Sequence, residues 1–136
     1  LRLGTGIIFA RQQGTRPTLR ALKEGYRLYY LPDQDFGARD SVFVKFFEKD
    51  AATITGLSRI SKLAKAHVVP LIARRVGNRF ELEFYPAWEN YPTDDVVADT
   101  RRMNAFLEER IREIPDQYFW LHKRFKSRPE GEQRIY

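Results

Sequence analysis

Tyr26-Arg27-Leu28-Tyr29-Tyr30-Leu31-Pro32-Asp33-Gln34-Asp35-Phe36-Gly37 decides the fold class. Its first six residues are rich in Tyr and Leu and read as a buried strand. Pro32, two carboxylates and Gly37 then make a loop by composition. Just upstream, Thr15-Arg16-Pro17 starts a helix with Pro near the first turn. Leu19, Ala21 and Leu22 give that helix an apolar side, and Gly25 stops it. A helix running into a strand that ends in an acidic loop is the opening of an α/β domain.

Working outward, residues 42–47 are apolar and short: an edge strand or a loop packed on the core. Thr53, Leu57, Ile60 and Ala64 recur at helical spacing, so residues 51–65 read as a helix that contains Gly56. Residues 67–73 form a second β run, in which Pro70 argues for an edge, a bulge or a strand end. Phe80, Leu82 and Phe84 alternate with Glu81, Glu83 and Tyr85, the pattern of a half-buried strand. Gly77-Asn78 between the two runs predicts a hairpin. A long helix follows an aromatic loop, with Thr93 as N-cap, Asp94 and Asp95 at its positive end, and Pro115 closing it.

The 136 residues fit one domain, 1–136, and 43% apolar content is a globular share. Cysteine is absent, so thiolate metal sites and thiol nucleophiles are excluded. No apolar run approaches the ~20 residues that span a bilayer. The formal net charge of +6 favours an anionic partner: nucleic acid, a phospholipid surface or a phosphorylated substrate. The chain opens on Leu1-Arg2-Leu3-Gly4 with no start signal, and its one methionine is Met103. It therefore reads as a piece whose N-terminal portion lies upstream.

Asp33 and Asp35 follow a predicted strand, where α/β folds often bind ligands; the same residues also suit a turn capped by Asp. Arg74 and Arg75 end the second β run, and guanidinium groups bind phosphate as a fork, although a solvated pair at a hairpin mouth has the same pattern. His67 reads as structural. His122 lies in a basic aromatic tail, and neither histidine has an acid five residues on. No Gly-rich phosphate loop is present. In that tail, Tyr118, Phe119, Trp120 and Phe125 suit stacking on bases or, the favoured reading, packing on the domain with the cations Lys123, Arg124, Lys126 and Arg128 turned to phosphates.

Residues 28–37, Asp40-Ser41-Val42-Phe43-Val44, residues 51–59, Val68-Val69-Pro70-Leu71 with Arg74-Arg75, Pro86-Ala87-Trp88-Glu89-Asn90-Tyr91-Pro92, Arg102-Met103-Asn104 and Trp120-Leu121-His122-Lys123-Arg124-Phe125-Lys126 resemble, in order and spacing, the late acyltransferases of lipid A biosynthesis, lauroyl/myristoyl type. Lys45 and Glu48 stand where that family commonly has Pro and Gly. The resemblance implies a partial αβα sandwich of the glycerol-3-phosphate acyltransferase type, a mixed sheet with flanking helices, of which this is the C-terminal half. It implies acyl transfer from acyl carrier protein to a hydroxyl of a phosphorylated lipid A precursor, at the cytoplasmic face of the Gram-negative inner membrane. It implies no cofactor and no metal, with the catalytic His and its acid upstream, so that this piece alone is inactive. The family's functional Asp falls on Asp35 in a supporting role, and its functional Arg, with a one-residue shift, on Arg2. Asp33, Arg74, Arg75, Lys123 and Arg124 are then candidates for phosphate, sugar or headgroup contacts. A stand-alone basic module for nucleic acid is the alternative, against which the interleaved acids Asp33, Asp35, Glu81 and Glu83 count.

Overall fold

A computed structural model describes residues 6–9 and 13–136. Arg2 lies outside the described residues. The chain is α/β, in the order α1 (Arg16–Lys23), β1 (Ser41–Phe46), β2 (Lys49–Ile54), α2 (Gly56–Ala64), β3 (Leu71–Val76), β4 (Arg79–Phe84) and α3 (Val96–Glu113), with a 3-10 turn at Pro115–Gln117. Among the described residues the strands form two antiparallel two-stranded sheets, β1–β2 and β3–β4, and no mixed sheet.

α1 and α3 follow the sequence reading closely. Pro17 sits in the first turn of α1, where a missing N–H costs nothing. Gly25 takes φ +91° just past its end. On α3 the N-cap is Asp95, not Thr93: its Oδ1 accepts the N–H groups of Val97 and Ala98 at 3.0 and 2.9 Å. Thr93 instead donates from its backbone and hydroxyl to Asp99, a buried carboxylate that also receives Ser58 Oγ at 2.6 Å.

Two elements differ from expectation. Residues 26–31 are extended but join no strand, and Tyr26, Tyr29 and Leu31 are exposed. Alternating Tyr and Leu set an extended backbone, but a strand also needs a hydrogen-bonded neighbour. The expected helix over 51–65 begins only at Gly56, because residues 51–54 belong to β2. There Val44 faces Ala51, Phe43 faces Ala52 and Val42 faces Thr53, so cross-strand pairing overrides the helical spacing of Thr53.

Phe46, Ala51 and Ile111 are buried together, with Phe47, Leu107, Tyr118 and Phe125 packed around them. Burying a phenyl ring such as that of Phe46 stabilises by about 2–3 kcal/mol. α3, through Leu107 and Ile111, and the C-terminal run, through Tyr118 and Phe125, thus meet the β1–β2 hairpin in one cluster. Two of the tail aromatics pack inward as expected, whereas Phe119, Trp120 and Leu121 stay exposed.

The β3–β4 hairpin forms around Gly77, but β3 runs to Val76 and takes Arg74 and Arg75 into the strand. Its apolar side is open rather than half-buried: Phe80, Leu82 and Phe84 are 76, 59 and 67% exposed.

Candidate functional site

The site is built where the acidic loop meets the C-terminal run. Residues 28–33, α2, the start of β3, α3 and Tyr118 border an open groove of about 930 Å³. Its walls are mainly apolar, including Leu28, Leu57, Ile60, Val69, Met103 and Leu107. Polar groups on its lining include Asp33, Gln117, Tyr118 and Arg110. An apolar cleft with a few convergent polar groups is the usual form of a ligand site.

Asp33 borders this groove, and the Tyr118 hydroxyl is close to it without reaching hydrogen-bond geometry. Burial first, and then the Asp33 charge, push the Tyr118 phenol well above the ordinary tyrosine range. Asp35, two residues on, does not line the groove and is 2% exposed. Its Oδ1 accepts Gly37 N–H at 2.8 Å and Ser127 Oγ–H at 2.9 Å, and its Oδ2 accepts Ser127 N–H at 2.8 Å. The Asp35 N–H itself donates to His122 Nε2 at 3.0 Å. The loop is therefore fastened to a segment about ninety positions away, by residue separations of 87 and 92.

Arg124 comes from the same run and points inward, 2% exposed. Its Nη1 donates to Ala52 O at 2.8 Å and its Nη2 to Thr53 Oγ1 at 2.6 Å, and the guanidinium lies over the Phe46 ring at 5.0 Å. Burial holds its pKa below the ordinary arginine value, opposed by Tyr118, Asp33 and Asp35. In this structure its two Nη groups are engaged by β2, so it ties the hairpin to the tail instead of meeting a phosphate.

Arg74 pairs with Glu81 across the hairpin at 3.2 Å, with both side chains about half exposed. Arg75 donates from Nε to Gly77 O, while its backbone is gripped by Gln117: Arg75 N–H to Oε1 at 2.7 Å, and Nε2–H to Arg75 O at 3.1 Å. That amide acts as a short strand partner and ties β3 to Gln117, a residue of the groove lining. Lys123 is exposed, its ammonium 5.9 Å from the Tyr136 ring centroid. The loop thus brings Asp33, Asp35, His122, Ser127 and Arg124 into one neighbourhood, while Arg74 and Lys123 stay on the surface. Sequence reading missed Ser127 and Gln117, whose side-chain bonds to distant backbone leave no local signal.

Residues 2–127 match the family model for bacterial lipid A biosynthesis acyltransferases. This chain belongs to that family. Similar proteins include a lipid A biosynthesis acyltransferase of Haemophilus influenzae, 40% identical over 129 residues, which cover 93% of this chain and 40% of the relative. The lipid A biosynthesis lauroyltransferase of Escherichia coli K12 is 41% identical over 116 residues, covering 83% of this chain and 38% of its own. The myristoyltransferase of the same organism is 36% identical over 133 residues, covering 96% and 41%. The chain thus spans about two-fifths of the length of the lipid A acyltransferases it matches. Among the described residues no helix is long and apolar enough to cross a membrane.

Proposed function

We propose that this chain is the acceptor-side part of an acyltransferase of lipid A biosynthesis. The intact protein moves a fatty acyl group from acyl carrier protein to a hydroxyl of a phosphorylated lipid A precursor. The family match over residues 2–127 carries the proposal. The mainly apolar groove with Asp33 and Tyr118 on its lining supports it, since a glycolipid presents both hydrocarbon and polar groups. Lys123, Arg74 and Arg75 supply surface cations for phosphate or for anionic headgroups, at the cytoplasmic face of the inner membrane.

In the reaction proposed, a histidine outside this chain takes the proton of the acceptor hydroxyl. The alkoxide attacks the thioester carbonyl and the carrier's thiolate leaves. This chain holds the acceptor and does not transfer alone. Its two hairpins and three helices are then part of an αβα sandwich that the rest of the protein completes.

The intact protein, given acyl-acyl carrier protein and a lipid A precursor, should yield a product heavier by one acyl group in mass spectrometry. The chain by itself should yield none. No added acyl group from the intact protein would refute the proposal.

A further inference from the structure

Asp33 and Asp35 sit two residues apart and look equivalent in sequence, but their surroundings differ completely. Asp33 borders the groove beside Tyr118. Asp35 is 2% exposed, and its carboxylate accepts from three donors, one on Gly37 and two on Ser127. Shut off from solvent and absent from the groove lining, that carboxylate spends three of its roughly four lone-pair sites on its own loop and the C-terminal run rather than on a ligand. Its backbone N–H is engaged as well, by His122 Nε2. Accepting that bond requires the imidazole to be neutral, with its proton on Nδ1.

We propose that His122 and Ser127 are positioning residues. Together they clasp residue 35 and set the 32–37 loop so that Asp33, and not Asp35, is the carboxylate facing the acceptor. The proposal rests on the acyltransferase reading for its kinetic consequences only. Asp35 then acts through the loop. Its removal would impair the reaction as a catalytic loss does, although it touches no reacting atom. Misplacing a substrate contact by about 1 Å can cost on the order of 100-fold in rate, so the clasp needs no chemistry of its own to matter.

The test uses the intact protein and its Ser127→Ala, Ser127→Thr and Asp33→Asn variants. Amide hydrogen exchange across residues 32–37 and the 15N shifts of His122 report on the clasp without any turnover. Wild type should show an unprotonated Nε2 and a protonated Nδ1 on His122. Ser127→Ala should speed loop exchange by about tenfold or more and cut kcat/KM on the order of tenfold. Ser127→Thr, which keeps the hydroxyl, should restore both. Asp33→Asn should leave loop exchange unchanged while kcat/KM for the lipid A precursor falls on the order of tenfold or more.

The proposal is overturned if Ser127→Ala changes neither readout, if Nε2 carries the proton at pH 8, or if Asp33→Asn turns over normally. A wild-type protein that exchanges as expected but transfers no acyl group overturns the acyltransferase reading instead, and leaves exchange and imidazole shifts to decide the clasp.

Discussion

Arg124 offers a test in which the charge-conserving substitution should be more harmful than an apolar one. Its guanidinium is buried and makes two hydrogen bonds to β2, and among the described residues no carboxylate lies within ion-pair distance. A hydrogen bond from a charged donor contributes about 1.5–3 kcal/mol net, so losing both costs at least about 3 kcal/mol before any compensation. Arg124→Ala adds a void beneath Phe46, and we expect a net loss of about 3–4 kcal/mol. Arg124→Met keeps most of the volume and removes a charge that is costly to bury, so the loss should shrink to about 1–2 kcal/mol. Arg124→Lys keeps the buried charge but loses the planar fork that reaches both acceptors, and should cost about 2–3 kcal/mol. The predicted order of stability is wild type, Met, Lys, Ala. Chemical denaturation of the intact protein, followed by circular dichroism, measures it. A surface phosphate contact gives the opposite pattern, with Lys best tolerated and stability unchanged. Finding Lys more stable than Met, or both within about 0.5 kcal/mol of wild type, would refute the reasoning.

Three further outcomes are expected. A Cβ on Gly56 would run into the Tyr30 hydroxyl, whereas the next ring atom, Cζ, is 3.3 Å away; Gly56→Ala should therefore cost about 1–3 kcal/mol, most of it recovered in the Gly56→Ala/Tyr30→Phe double variant, as a double-mutant cycle in denaturant will show. Asp95→Ala removes the acceptor for two N–H groups at the start of α3 and should cost about 1 kcal/mol in the same assay, with Asp95→Ser close to neutral. Burial pushes the phenols of both Tyr91 and Tyr118 above their ordinary value, so the unfolded chain releases those protons first. Stability should therefore be flat below about pH 10 and fall as pH rises beyond it. Denaturation midpoints between pH 8 and 11 measure this, and Tyr118→Phe should make the decline shallower.

Elements whose signal is local were readable from the chain. Pro17 and Gly25 bound α1, Gly77-Asn78 makes the β3–β4 turn, and Pro115 closes α3, each through backbone preferences of a few neighbouring residues. What the sequence hid was pairing at a distance. Residues 51–54 carry a helical spacing, yet they pair with β1, and Ala51, Ala52 and Thr53 are small enough to be fully buried there. Residues 26–31 have the composition of a buried strand, and composition cannot say whether a neighbouring strand is at hand. At the site, the loop over 32–37 and both its carboxylates were visible, but the contrast between Asp33 and Asp35 was not. It depends on Ser127 and His122 arriving from the far end of the chain. Arg124 looked like a surface cation by charge; only its packing against Phe46 and β2 shows otherwise.

The fastening of residue 35 by residues 122 and 127 also bears on synthesis at the ribosome. Domains form from the N-terminal side as the polypeptide emerges. Here the acidic loop leaves the exit tunnel long before its fastener has been translated, so it must wait in an unsettled form. A nonsense codon at position 122 would leave α1 to α3 and β1 to β4 encoded, yet deprive the loop of its geometry and β2 of Arg124.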